Sequence, residues 1–200
     1  MTITYELGNS LYVNLTNRCS NACSFCVRNQ HDDVNGKDNL WLDREPTLDE
    51  IKADFLLRDL ENYDSVVFCG YGEPTERFDD MVVIAKWLKE AHPALPIRLN
   101  TNGQANLICK RDVTPELAGL FDCVSISLNA ENAEKYQAVC ESRYGEDAYA
   151  ALLEFATKAT QFVPEVVFSV VDVMEPAEIE NCRKIAESCG VKFRVREYIQ

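Results

Sequence analysis

The amino-acid sequence predicts an α/β fold with parallel strands, and three observations carry that prediction. Six short apolar or β-branched runs are spaced along the 200 residues. Amphipathic helical patterns fill the intervals between them. The connections have the length that right-handed crossovers use, which makes neighbouring strands parallel.

The strand runs lie at 11–16, 65–69, 97–101, 123–128, 165–173 and 191–199, and each is rich in Val, Ile, Leu or aromatic residues. The first helical pattern follows at 46–63, where Thr47 and Glu50 have the spacing of a capping box. Further patterns lie at 76–91, at 114–121 behind Thr114 and Pro115, at 132–143 continued at 146–162, and at 175–190, which Gly190 closes. The segment 29–46 is the longest irregular stretch; Leu40, Trp41 and Leu42 within it predict a loop that packs as a lid. The chain reads as a single domain over residues 1–200, without repeats or a second-domain linker.

Periodicity alone does not choose between an open sheet and a barrel. A closed eight-unit barrel takes about 250 residues, so six strands in 200 residues favour a partial barrel or an open sheet. In either architecture the site lies at the carboxyl ends of the strands. The uncommon residues fall there: Cys19, Cys23 and Cys26 after the first run, GYGEP after the second, NTNG after the third, Asn129 after the fourth, and Arg196 near the end of the sixth.

Composition narrows the partners. Against 20 basic side chains stand 33 acidic ones, a formal charge of −13, which disfavours nucleic acid as a partner. The N-terminal residues have neither a basic nor an apolar signal region, and no stretch approaches the roughly 18 apolar residues of a membrane span. A cytoplasmic protein with no membrane segment is expected. Nine cysteines, an odd number without an export signal, point to thiols kept reduced for metal or catalysis.

Three of those thiols, Cys19, Cys23 and Cys26, form a CxxxCxxC cluster with Phe25 beside the last. A cubane iron–sulfur cluster has four irons, so three thiolates leave one iron open to an outside ligand. The rival reading is a structural zinc site completed by His31 or Cys69, which gives no role to the GYGEP loop. A thiol–disulfide pair built on Cys23 and Cys26 normally lacks a third thiol.

The cysteine spacing, taken with CGYGEPT at 69–75, resembles the radical S-adenosylmethionine (radical SAM) superfamily. Gly72, Glu73 and Pro74 match that superfamily's GGEP segment, with Tyr71 in place of the first glycine. NTNG at 100–103 looks like its third-strand turn, and Ser127 and Asn129 occupy the fourth-strand positions that hold ribose hydroxyls. The resemblance spans nearly the whole chain and implies a six-unit (β/α) partial, three-quarter TIM-like barrel. Within the superfamily the opening residues and the GYGEPT form look most like the small TatD-linked radical SAM proteins.

The resemblance implies that Cys19, Cys23 and Cys26 hold a [4Fe-4S] cluster whose fourth iron takes the amino and carboxylate groups of S-adenosylmethionine. One electron then cleaves the sulfonium, giving methionine and a 5′-deoxyadenosyl radical that abstracts a substrate hydrogen. It implies cofactor contacts from Phe25, Tyr71, Gly72, Glu73, Pro74, Asn100, Asn102, Ser127, Asn129 and Arg196, and a low-potential electron donor of the flavodoxin or ferredoxin type. Two further functions compete: an iron–sulfur carrier that does not cleave the cofactor, and a zinc-stabilised interaction domain. With the chain ending after the sixth strand, no C-terminal cap is expected and the mouth should be open, to a macromolecule or to a small substrate covered by the 29–46 loop or a second subunit; the acidity that disfavours RNA favours a protein or peptide.

Each residue also has a plainer role. Glu73 suits a turn, and Asn100, Asn102, Ser127 and Asn129 suit strand-end hydrogen bonding. Arg196 clamps a carboxylate or pairs with one of the chain's own acids. Arg18 and Arg28 either help dock an electron donor or pair with Asp32 or Asp33. Cys69, Cys109, Cys123, Cys140, Cys182 and Cys189 are expected mostly in core packing.

Overall fold

The computed structural model describes residues 1–32 and 36–197. Within the predicted elements, 33–35 of the long loop and 198–199 of the last strand lie outside the described residues. A seven-stranded sheet runs in sequence order: β1 (Thr4–Leu7), β2 (Ser10–Val13), β3 (Ser65–Phe68), β4 (Ile97–Thr101), β5 (Cys123–Ser127), β6 (Glu165–Val171) and β7 (Lys192–Arg196). From β2 to β7 all pairings are parallel, and β1 and β7 do not meet. The sheet is an open partial barrel, as expected.

One strand is additional. β1 pairs antiparallel with β2, Leu7 opposite Ser10, through a two-residue turn whose Gly8 has φ 59°. Its neighbour Asn9 completes the Gly-Asn pair that commonly closes a tight hairpin.

The helices are α1 (Leu48–Leu56), α2 (Phe78–Ala91), α3 (Ala105–Cys109), α4 (Ala133–Cys140), α5 (Asp147–Ala159) and α6 (Pro176–Ser188). Thr47 and Glu50 form the capping box, and Gly190 with φ 69° follows α6. Two expectations are corrected. The 114–121 pattern yields only a single 3-10 turn, Thr114–Leu117, because Pro115 starts it and Gly119 (φ 70°) leaves no room for another turn. The short α3 was not expected; Lys110, left-handed at φ 55°, ends it.

Strand side chains alternate between two faces. Leu11, Val13, Val66, Phe68, Ile97, Leu99, Val124, Ile126 and Phe168 form the core with the helices. On the concave side the residues are mixed and polar, including Asn100, Ser125, Ser127, Ser169 and Arg194. That side is not a packed core, and it leads to the strand ends where the site opens.

Candidate active site

A pocket of about 280 Å³ opens at the carboxyl ends of the parallel strands. Cys19, Cys23, Phe25 and Cys26 line it from the loop after β2, and Tyr71, Gly72, Glu73 and Pro74 from the loop after β3. Asn100 and Asn102 come from the end of β4, Ser127 and Asn129 from the end of β5, and Arg196 from β7. Residues as far apart in sequence as 19 and 196 thus share one cavity.

Backbone packing fixes the first two loops together. A Cβ on Gly72 would stand 2.2 Å from the Thr16 carbonyl oxygen and 2.5 Å from that of Arg18, so only glycine fits. The close approach at Gly72 is thus to the cysteine loop's own backbone. Next to it the Glu73 N–H donates to the Arg18 carbonyl at 2.8 Å. Arg28 completes the joint by donating to the carbonyls of Asn17, Tyr71 and Asn21 at 3.3–3.5 Å.

On its other side the cysteine loop rests on the end of α4. The Ala22 N–H donates to the Cys140 carbonyl at 2.9 Å and the Ser24 N–H to that of Val139 at 3.1 Å. Free carbonyls at a helix C-terminus need such donors. Below lies a buried polar network centred on the Tyr136 hydroxyl, which accepts from Asn21 Nδ2 and Gln104 Nε2, both at 3.0 Å. Gln104 Nε2 also reaches Asn21 Oδ1 at 2.8 Å, and Ser142 Oγ donates to Gln104 Oε1 at 3.0 Å.

Glu73 and Asn102 tie the remaining loops into this network. Glu73 Oε1 accepts from Thr75 N (3.1 Å), Thr75 Oγ1 (2.8 Å) and Thr101 Oγ1 (2.7 Å), and Oε2 accepts from Asn102 N at 2.7 Å. Burial raises the Glu73 pKa, while these hydrogen bonds pull it down. Asn102 Nδ2 donates to Ser20 Oγ at 2.7 Å and its Oδ1 accepts from Gln104 N at 3.0 Å. Both side chains border the pocket but are committed to holding the loops in place.

Other pocket groups are less engaged. Asn129, left-handed at φ 55°, reaches the Cys140 sulfur through Nδ2 at 3.6 Å, while its buried Oδ1 has no hydrogen-bond partner among the described residues. Asn100 Oδ1 accepts from Arg98 Nε at 2.8 Å. Tyr71 packs with Tyr5 and Leu40, meets Trp41 edge-on at 5.2 Å between ring centroids, and donates its hydroxyl to the His31 carbonyl.

The thiols are half-buried in this environment. Burial, and then the Glu73 carboxylate, pushes Cys19 up to about 12. Cys23 is raised by its hydrogen bond with Cys140 and by burial, and Cys26 by burial. Iron would stabilise these groups as thiolates, since metal binding and thiol deprotonation are linked. Cys140, expected as core filling, is indeed buried yet touches Cys23.

Among the described residues no three His, Cys, Asp or Glu side chains are grouped around a single ion's position. A cubane binds each thiolate through a different iron, so its ligands stand farther apart than those of one zinc ion. The three thiols on one pocket wall, together with the orphaned Asn129 Oδ1, suit a cluster with a polar ligand beside it.

Two further expectations are corrected. The described part of the 29–46 loop packs behind Tyr71, with Leu40 and Leu42 buried, and none of it lines the pocket. It is a prop, because Asn14 Nδ2 and Asn17 Nδ2 hold the carbonyls of Leu40 and Leu42 at 2.7 and 2.8 Å. Arg18 pairs with Glu45 and Glu76 and Arg28 cradles carbonyls, so neither pairs with Asp32; Asp33 lies outside the described residues. The expectation that the other six cysteines mostly pack in the core holds: Cys140 and Cys182 are core residues and Cys109 and Cys189 pack against the core, while Cys69 lines the pocket and Cys123 has its thiol 3.5 Å from Glu165 Oε1.

Comparison with known structures finds the same fold at low identity. A radical SAM methyltransferase from Sphaerobacter thermophilus aligns with a TM-score of 0.59 and 17% identity, over 97% of this chain and 68% of that one. Streptococcus suis SuiB bound to S-adenosylmethionine aligns at 0.63 and 16%, over 94% and 38%. The FeFe-hydrogenase maturase HydG from Carboxydothermus hydrogenoformans aligns at 0.58 and 16%, over 96% and 44%. The chain thus spans 38–68% of the length of these structures. A search of curated protein sequences gives no match. No helix among the described residues is long and apolar enough to cross a membrane. The family model described as "Radical SAM superfamily" matches residues 13–187, from the strand before the cysteines to the last helix, and the chain belongs to that superfamily, whose members use a [4Fe-4S] cluster and S-adenosylmethionine.

Proposed function

We propose that the protein is a radical SAM enzyme in which Cys19, Cys23 and Cys26 bind three irons of a [4Fe-4S] cluster and leave the fourth for S-adenosylmethionine. The observation that carries this reading is the shared pocket: the three thiols, Ser127 and Asn129 all border one cavity. When bound, the cluster and its cofactor supply one-electron cleavage of a sulfonium and, from it, hydrogen-atom abstraction.

The chain's own residues do the positioning. Gly72 lets the two loops touch, Glu73 and Asn102 lock them, and Asn129 offers Oδ1 to a donor on the nucleoside. Phe25, packed on the core, and Tyr71, braced by Leu40 and Trp41, wall the cavity against water. No side chain is required as a general base for hydrogen abstraction. A flavodoxin- or ferredoxin-type protein is the electron donor in this reading. All nine thiols are free, which suits a reducing cytoplasm. The sheet stays open between β1 and β7, which supports entry of a protein or peptide segment.

The test is anaerobic reconstitution with iron and sulfide, reduction with dithionite, and measurement of 5′-deoxyadenosine. Wild-type protein should release it, and Cys19→Ala, Cys23→Ala and Cys26→Ala should each abolish release. A fully loaded wild type that makes none would refute the proposal.

A further inference from the structure

We infer that the concave wall below the cofactor pocket binds an oxyanion of the substrate, a carboxylate or a phosphate, through Arg98, Arg194 and Arg196. The inference rests on the function proposed above, since it assigns this wall to that enzyme's substrate. Its first support is how the arginines are partnered. Those outside the concavity, such as Arg77 and Arg111, pair with carboxylates, and Arg28 is satisfied by three backbone carbonyls.

Among the described residues the three on the wall have no carboxylate partner. Arg98 Nε donates to Asn100 Oδ1 at 2.8 Å and Arg194 Nη2 to Ser125 Oγ at 3.4 Å. The Arg196 side chain makes no hydrogen bond or ion pair to a described residue. In a chain with 33 acids and 20 bases, chance would supply carboxylates rather than withhold them.

The second support is position: Arg194 and Arg196 line the pocket, and Arg98 lies one inward position below the pocket residue Asn100 on β4, bonded to it. Ser169 stands opposite Arg194 and Val171 opposite Arg196 in the β6–β7 ladder, and all four residues line the pocket. Arg194 and Arg196 are open to solvent at the edge strand. Even so, protein crowding lowers the pKa of each guanidinium, and the other arginines add to the effect. Three mutually repelling cations in a concave site are relieved by an anion, and planar guanidinium groups suit carboxylate or phosphate oxygens.

The nearby acids do not fill this role. Glu165 lies in the same sheet layer as Arg98, across Cys123, but it forms no ion pair with any of the three; Lys192 binds it, and that contact leads in holding its carboxyl below the usual range. Glu197 lines the pocket but pairs with none of the three. Arg194 and Arg196 share the cavity with the thiols, so a substrate anchored there by its anion would place a carbon near the cofactor.

The test is calorimetric titration of cluster-loaded protein with inorganic phosphate, succinate and, as a neutral control, glycerol, with and without saturating S-adenosylmethionine. Phosphate or succinate should bind in both conditions and glycerol in neither. The tighter anion distinguishes a phosphoester from a carboxylate substrate. Arg98→Gln with Arg194→Gln should weaken that binding at least tenfold, and Arg194→Lys alone should retain part of it, which separates lost charge from misfolding. The inference is overturned if neither anion binds wild type, if the double variant binds as well, or if S-adenosylmethionine displaces the anion, which would make the wall a cofactor-carboxylate site. Calorimetry needs no turnover, so anion binding without 5′-deoxyadenosine release would count against the proposed reaction and not against this wall.

Discussion

The loops after β2, β3 and β4 and the wall formed by β5, β6 and β7 border the same cavity but are built in opposite ways. In the first region nearly every polar group is spoken for: Glu73 accepts four hydrogen bonds, and Tyr136, Gln104, Asn21, Asn102 and Ser20 close a buried network. In the second, the Arg196 side chain has no partner among the described residues and Arg194 only a long contact to Ser125. Saturated buried networks rigidify, because breaking any member leaves others unsatisfied in a low dielectric. A rigid rim suits a cluster whose ligands must be placed before the metal arrives, and an open, charged wall suits a molecule that comes and goes.

Substitutions that loosen the rim test this contrast, and the largest effect should come from Gly72→Ala. The new methyl meets backbone oxygens at 2.2 and 2.5 Å that cannot rotate away, so the two loops must separate. A cost of roughly 3 kcal/mol is expected, which for a chain of this size lowers the melting temperature by roughly 6–12 °C, together with the iron bound on reconstitution. An unchanged melt would show that the rim is softer than described.

Tyr136→Phe should come next. It removes the acceptor shared by Asn21 and Gln104 and leaves buried donors without full partnership, at about 2 kcal/mol. Thermal melting measures this, and iron content should fall with it, since Asn21 lies within the cysteine loop. Lost stability with full cluster loading would separate the network from the loop.

Asn129→Gly sharpens the boundary between the regions. Glycine accepts the left-handed backbone, so the fold should melt as wild type, while loss of Oδ1 weakens S-adenosylmethionine binding by roughly tenfold, about 1.4 kcal/mol. Equilibrium binding to loaded protein measures it; unchanged affinity would remove Asn129 from the cofactor contacts. The smallest effect is expected from Thr47→Ala, remote from both regions. Losing the cap of α1 should cost about 1 kcal/mol in the melt and leave iron content as it was.

The sequence made the two regions legible to different degrees. Parallel strands, the cysteine triplet and the GYGEP turn were visible because each depends on local spacing. β1 escaped although Gly8 and Asn9 signal a hairpin, since TYEL is too short and mixed to stand out as a strand. The roles of Tyr136, Gln104 and Cys140 were hidden by distance: Tyr136 meets Asn21 across 115 positions, and in its own helix it reads as one more apolar-face residue. Glu73 was legible as a site residue but not as a brace, because only the fold shows which donors surround a carboxylate. The arginine wall left a trace, charged residues at inward strand positions 98, 194 and 196, whose convergence required the sheet's curvature.

The rim's purpose is tested most directly by the paramagnetic resonance spectrum of the reduced, reconstituted protein with and without S-adenosylmethionine. A cubane held by Cys19, Cys23 and Cys26, with one iron left open, predicts a [4Fe-4S]⁺ signal whose g-values shift when the cofactor is added. A signal that ignores the cofactor, or one that persists after all three cysteines are replaced by alanine, would contradict it.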